Sequence, residues 1–215
     1  MSGFKQVVGR KVLDLDRTGL AERIAGSARV VIDVGTGEGR FVLDAARAAP
    51  DTLCIGIDAA AENMAKASRQ ASAKKSRLEN ALFLRGAAEN LPDALAGTAH
   101  EICVHYPWGS LMRIVAQPNV DHLARLAACG RSGATLSVLL NNSVFEDRDY
   151  LERLGMADIA DPASSEGLVP AYRDAGFAVT ERSLMAGDPD VRTAWGRHLV
   201  RGSARRTLKI EAALI

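Results

Sequence analysis

Cysteine, histidine and tryptophan are all scarce in this chain of 215 residues, and each scarcity narrows the reading. The three cysteines, Cys54, Cys103 and Cys129, are odd in number, far apart and set among apolar neighbours. That pattern argues against a disulfide framework or a zinc site, and for reduced, buried thiols in a cytoplasm. The four histidines lack ligand spacing, so no metal is expected. No apolar run approaches the roughly 18 residues of a membrane span. The opening "MSGFKQVVGRKVLDLD" lacks the apolar stretch and cleavage site of a signal peptide. A cytoplasmic protein without membrane attachment is therefore expected. Repeats, low-complexity tracts and linkers are absent too. One domain over 1–215 is the economical organisation, with a hairpin extension at 1–15 and a core at 28–215.

Charge of one sign is missing locally rather than globally. The formal net charge is only +1, from 27 bases and 26 acids. Yet residues 1–13, 64–78 and 191–210 together hold fourteen of those bases and no acid. The cations are Lys5, Arg10 and Lys11; Lys66, Arg69, Lys74, Lys75 and Arg77; and Arg192, Arg197, Arg201, Arg205, Arg206 and Lys209. A single basic run is usually a solvated face, but three acid-free segments in an otherwise acidic chain point to an anionic partner.

What is present is a regular alternation of strand and helix patterns. "RVVIDVG" (29–35), "TLCIGIDA" (52–59), "ALFLRGAA" (81–88), "EICVHY" (101–106) and "ATLSVLL" (134–140) read as buried strands. Residues 38–50, 61–75 and 119–130 carry helical spacing between them, the last with Gly130 as a C-cap. Continuous apolar strands alternating with helices imply a parallel sheet covered on both faces. Residues 177–187 and 206–215 are strand-like and suited to antiparallel pairing, with a helix near 190–202 between them. "KQVVGRKVLDL" reads as a β-hairpin turning at Gly9-Arg10.

The first strand runs into a glycine loop, Gly35, Gly37 and Gly39, with Thr36 inside it. Its spacing matches neither the G-x-G-x-x-G dinucleotide fingerprint nor a Walker loop. Two acids sharpen the reading. Asp33 stands just before the loop, where a phosphate would be repelled. Asp58 ends the next strand, 19 residues after Gly39, where an acid can accept both ribose hydroxyls. A ligand with a ribose, no phosphate and a cationic amino-acid end is S-adenosylmethionine. "GAAEN" (86–90) closes the third strand, where the adenine of that cofactor can lie near Glu89. The candidate cofactor set is Asp33, Gly35, Thr36, Gly37, Gly39, Asp58, Ala59, Ala87, Ala88, Glu89 and His105. For His105 a purely structural role stays open.

These features resemble a class I, Rossmann-like S-adenosylmethionine-dependent methyltransferase. Such a protein has a mostly parallel seven-stranded sheet with an antiparallel last strand, here with the added N-terminal hairpin. "HYPWG" (105–109), "TAWGRHLVRG" (193–202) and the hairpin further resemble the aminoglycoside-resistance 16S rRNA (adenine-N1) methyltransferases, of the kanamycin–apramycin type. The resemblance implies methylation of one decoding-site adenine in the assembled 30S subunit by a monomeric enzyme, blocking aminoglycosides that dock there. The basic segments become candidate rRNA contacts. The tRNA (guanine-N7) methyltransferases also carry a proline-tryptophan motif after the fourth strand. Theirs usually has an acid beside the proline, whereas Tyr106 precedes Pro107 here. A non-catalytic RNA-binding module is the third reading. Adenine N1 needs no general base before attack, so the task is alignment. With only two tryptophans in the chain, Trp108, set off by Pro107, and Trp195 are expected to clamp the extruded base. The alternative for Trp108 is a plug at the end of the core.

Overall fold

The structure, a computed structural model, describes residues 5–75, 77–91, 93–186 and 206–215. Among the described residues, nine strands form one sheet. They are β1 (Lys5–Val8), β2 (Lys11–Asp14), β3 (Arg29–Val34), β4 (Thr52–Asp58), β5 (Ala81–Arg85), β6 (Ala99–His105), β7 (Gly130–Asn141), β8 (Phe177–Ala186) and β9 (Arg206–Leu214). Their spatial order is β2-β1-β5-β4-β3-β6-β7-β9-β8. The five strands from β5 to β7 are parallel, and β9 runs antiparallel to both its neighbours. The seven core strands and the antiparallel last strand agree with the sequence reading. The hairpin turns at Gly9-Arg10 and does more than append: β1 pairs antiparallel with β5, Lys5 opposite Arg85, and extends the sheet.

The helices are α1 (Arg17–Ala25), α2 (Arg40–Ala48), α3 (Ala61–Ala71), α4 (Gly109–Ala116), α5 (Val120–Cys129), α6 (Arg148–Arg153) and α7 (Leu168–Asp174). Strand alternation divides the core into two layers. Leu53, Ile55 and Ile57 of β4 join the larger layer with Leu20 of α1, Ile114 of α4, Leu126 of α5 and Tyr172 of α7. Cys54, their neighbour, faces the opposite layer under α2 and α3, with Val42, Met64 and Phe83. Each such aliphatic side chain contributes roughly 1.5–3 kcal/mol of burial free energy. The Tyr172 hydroxyl donates to the Val115 carbonyl at 3.0 Å, tying α7 to α4. Gly130 ends α5 in an extended conformation, so it caps that helix by handing the chain directly into β7.

Strand β3 has β4 on one side and β6 on the other. The chain therefore reverses its direction of winding there, and a crevice opens beyond the carboxyl ends of β3 and β6. Both glycine loop and proline-tryptophan motif emerge at that crevice.

Candidate active site

Backbone hydrogen bonds hold the start of the loop after β3. The N–H groups of Gly35 and Thr36 both donate to the Ile57 carbonyl, at 2.8 and 3.0 Å. Gly37 has φ +54°, and a Cβ added there would meet nothing within 4 Å. It is an open position against which a ligand can lie. Gly39, at φ +70°, is different: a Cβ there would come within 2.5 Å of the Phe83 ring. It does not line the cleft. It packs closely against Phe83 at the N-cap of α2.

Asp58 binds the loop from the next strand. Its Oδ2 accepts from the Gly37 N–H and its Oδ1 from the Ala60 N–H, each at 2.9 Å. Both oxygens keep a lone pair for a ribose hydroxyl. Asp58 thus helps to organise the glycine loop from the neighbouring strand. Asp33 is buried, and that burial pushes its carboxyl up to about 7, with Thr36 opposing the rise and the Asp58 charge adding to it. Across the cleft, Ser110 at the start of α4 holds Glu89 below the usual carboxylate range.

The cleft encloses about 360 Å³, within the range of small-molecule sites. It brings together Asp33, Gly35, Thr36, Gly37, Asp58, Ala59, Ala87, Ala88, Glu89, His105, Pro107 and Trp108. Sequence reasoning missed Arg40, Phe41, Asn63, Tyr106, Ser110 and Leu111, which also line it. Ser110 and Leu111 belong to α4, for which the sequence carries no signal, Arg40, Phe41 and Asn63 lie on helices α2 and α3, and Tyr106 follows the end of β6. His105 is packed edge-on by Phe41, ring centroids 5.0 Å apart, and its buried Nδ1 has no hydrogen-bond partner among the described residues. Burial lowers its pKa to about 4. Trp108 is the N-cap of α4, half-buried, packed partly on the core and edge-on to Tyr150 at 6.3 Å. Arg153 in turn lies 5.6 Å over the Tyr150 ring.

The candidate RNA residues divide into groups. Gly9 at the hairpin turn donates to Ser68 Oγ of α3 at 2.9 Å. That contact seats Arg10 beside Lys66 and Arg69 in one groove. Lys11, Lys74 and Lys75 are exposed nearby in chain, and Arg77 pairs with Glu79 at 3.3 Å. Because the loop after α3 leads into the amino end of β5, Lys74, Lys75 and Arg77 do not converge on the cleft. Lys5 pairs with Asp14, and Arg206 pairs with Glu146 beside the start of β9. Lys209 is bridged to Glu181 on the sheet face. Trp195, Arg192, Arg197, Arg201, Arg205 and the helix expected near 190–202 lie outside the described residues.

The strand order, the acid-flanked glycine loop and the phosphate-averse cleft define an S-adenosylmethionine-dependent methyltransferase. The sequence profile of the NpmA family, 16S rRNA (adenine(1408)-N(1))-methyltransferase, matches residues 5–214, and the chain belongs to that family. A 16S rRNA (adenine(1408)-N(1))-methyltransferase of Streptoalloteichus hindustanus is 34% identical over 201 residues, covering 91% of this chain and 92% of the relative. One from Escherichia coli is 28% identical over 207 residues, covering 94% of each. Among solved structures, the aminoglycoside resistance methyltransferase NpmB1 is 37% identical with a TM-score of 0.85, covering 99% of this chain and all of that one. A mutant form of the 16S rRNA (adenine(1408)-N(1))-methyltransferase from Catenulisporales acidiphilia, with cosubstrate SAM, is 30% identical. Its TM-score is 0.89, over 99% of this chain and 97% of that one.

Proposed function

We propose that this enzyme methylates N1 of adenine 1408 in the 16S rRNA of the assembled 30S subunit and thereby confers aminoglycoside resistance. The observation that carries the reading is the convergence of the Asp33–Asp58 loop and the Pro107-Trp108 motif on one crevice. The cleft fits S-adenosylmethionine in size, in its open Gly37 position and in carrying acid where phosphate would be repelled. Asp58 takes the ribose, Asp33 the amino group, and Ala87, Ala88 and Glu89 flank the adenine. Bound there, the cofactor supplies an electrophilic methyl group on its sulfonium. Three of the relatives named above, those of Streptoalloteichus hindustanus, Escherichia coli and Catenulisporales acidiphilia, are named for that same rRNA position, which favours it over tRNA.

Substrate adenine presents an in-plane lone pair at N1, so the protein has no proton to remove before attack. His105 suits that chemistry: held near pKa 4, it is neutral and a poor base at working pH. The chain's work is orientation. Trp108 offers a flat face for the extruded base, backed by Tyr150, and Trp195 is the proposed partner for its other face. The cations of the hairpin turn and α3, with Lys5, Lys11, Lys74, Lys75, Arg77, Arg192, Arg197, Arg201, Arg205 and Arg206, engage rRNA phosphates. Such contacts position an enzyme without reading sequence. We further propose a single cytoplasmic domain working as a monomer. The large exposed apolar side chains among the described residues support the monomer: Val12 and Leu13 share the short strand β2, and Leu154, Leu184 and Ile215 lie on other parts of the chain.

Transfer of labelled methyl from S-adenosylmethionine should reach 30S subunits and not tRNA. Equal or greater labelling of tRNA would favour the guanine-N7 alternative, and cofactor binding without any transfer the non-catalytic one.

A further inference from the structure

Tyr106 combines two features that simple packing does not require. Its φ is +50°, the one positive value outside glycine among the described residues. A side chain holds that conformation only where its surroundings over-determine it. Those surroundings are three strand ends. The Tyr106 N–H donates to the Leu139 carbonyl of β7 at 2.7 Å. Its hydroxyl lies 3.2 Å from Thr207 Oγ1 of β9, both groups buried and 101 residues apart in sequence. Thr207 in turn pairs with Asn141 at the end of β7.

We propose that the Tyr106–Thr207 hydroxyl pair is a positioning device that fixes Trp108 relative to the chain entering β9. It rests on the reading of the site as an adenine methyltransferase. Side chains alternate along a strand, so a continued β6 would set Trp108 on the face of Tyr106. The left-handed residue breaks that alternation and turns Pro107 and Trp108 out over the cleft. Phenylalanine would fill the same volume, so the buried hydroxyl needs its own account. A hydrogen bond in such a dry setting is unforgiving of displacement. Thr207 is the second residue after 187–205, the segment that contains Trp195. Tyr106 lies two residues before Trp108. The bond therefore joins the roots of both tryptophan-bearing segments, and it acts through them rather than on the base.

The test uses the full chain with 30S subunits in four variants: Tyr106→Phe, Thr207→Val, the double substitution, and Thr207→Ser, which keeps a hydroxyl. Tyr106→Phe and Thr207→Val should each lower kcat about five- to twentyfold. In Thr207→Val, a position outside the cleft lining, calorimetric affinity for S-adenosylmethionine should stay within about twofold, as should KM for 30S. The double variant should be no worse than the poorer single one, because both lose the same bond. Thr207→Ser should restore near wild-type turnover. A kcat within about twofold of wild type in Tyr106→Phe overturns the proposal, as do losses that multiply in the double variant. So does a loss seen only as early melting, with normal turnover in the cold. A wild-type enzyme silent on 30S would instead remove the methyltransferase reading itself, and this inference with it.

Discussion

Asp33 is the residue whose environment makes the most specific demand on conditions. Burial lifts it from 3.8 to about 7, so between those values the folded chain keeps a proton that the unfolded chain has lost. Stability contributed by that proton falls as pH rises through the window and levels off above about 7. A cationic ligand end favours the ionised carboxylate, so binding below about pH 7 releases a proton. Cofactor affinity should rise with pH up to about 7 and fall again above about 8, where the ligand's own amino group loses its proton. Calorimetry in two buffers of different ionisation heat should show nearly one proton released at about pH 6 and none at about pH 8. A flat profile with no release contradicts the assignment of Asp33 to the amino group. Asp58 makes a simpler prediction. Its replacement by alanine removes a charged acceptor from two backbone donors and from the ribose, worth about 10- to 100-fold in affinity. Unchanged affinity in folded Asp58→Ala protein contradicts the ribose assignment. Trp108 decides between clamp and plug. Half-buried as it is, alanine there should cost less than the roughly 3–5 kcal/mol of a full core deletion, yet abolish most methylation, with phenylalanine rescuing part of it. Early melting with normal methylation in the cold would make it a plug.

At the scale of elements, the strands were legible because their apolar, β-branched runs are continuous. Period and length left few alternatives for β3 to β7, and the Gly9-Arg10 turn marked the hairpin. Its docking was not legible, because β1 pairs with a strand some 80 residues away and nothing local records the partner. Helix α1 carries Gly19 and buries one side chain, Leu20, and starts from an Asp16 cap rather than an apolar stripe. Helices α6 and α7 are six and seven residues long, too short for a periodic signal. In the site, the two acids were visible but their division of labour was not. Asp58 reaches Gly37 across 21 residues, a contact only the fold creates. The same docking makes a prediction for the cations. Seating the hairpin on α3 joins Arg10 with Lys66 and Arg69, so removing any of these charges should flatten the salt dependence of 30S binding. The slope should fall by about 0.7–0.9 per lost phosphate contact, with cofactor affinity intact. An untouched slope in the triple variant would make the groove an ordinary solvated surface.

At the scale of the whole molecule, the described residues form a nine-stranded sheet with a cofactor-sized cleft at its winding reversal and cations spread well beyond that cleft. A small substrate would have no use for such a spread, whereas a folded ribosomal particle offers phosphates over the full width of the enzyme. The account therefore asks for a large, structured RNA as substrate and for one nucleotide within it. Primer extension along 16S rRNA, after incubating intact 30S subunits with the enzyme and S-adenosylmethionine, reads both at once, since a methyl group on adenine N1 blocks Watson–Crick pairing. The account predicts one new stop, beside adenine 1408, absent with the Asp58→Ala variant. A stop elsewhere, or none despite demonstrated cofactor binding, would contradict it.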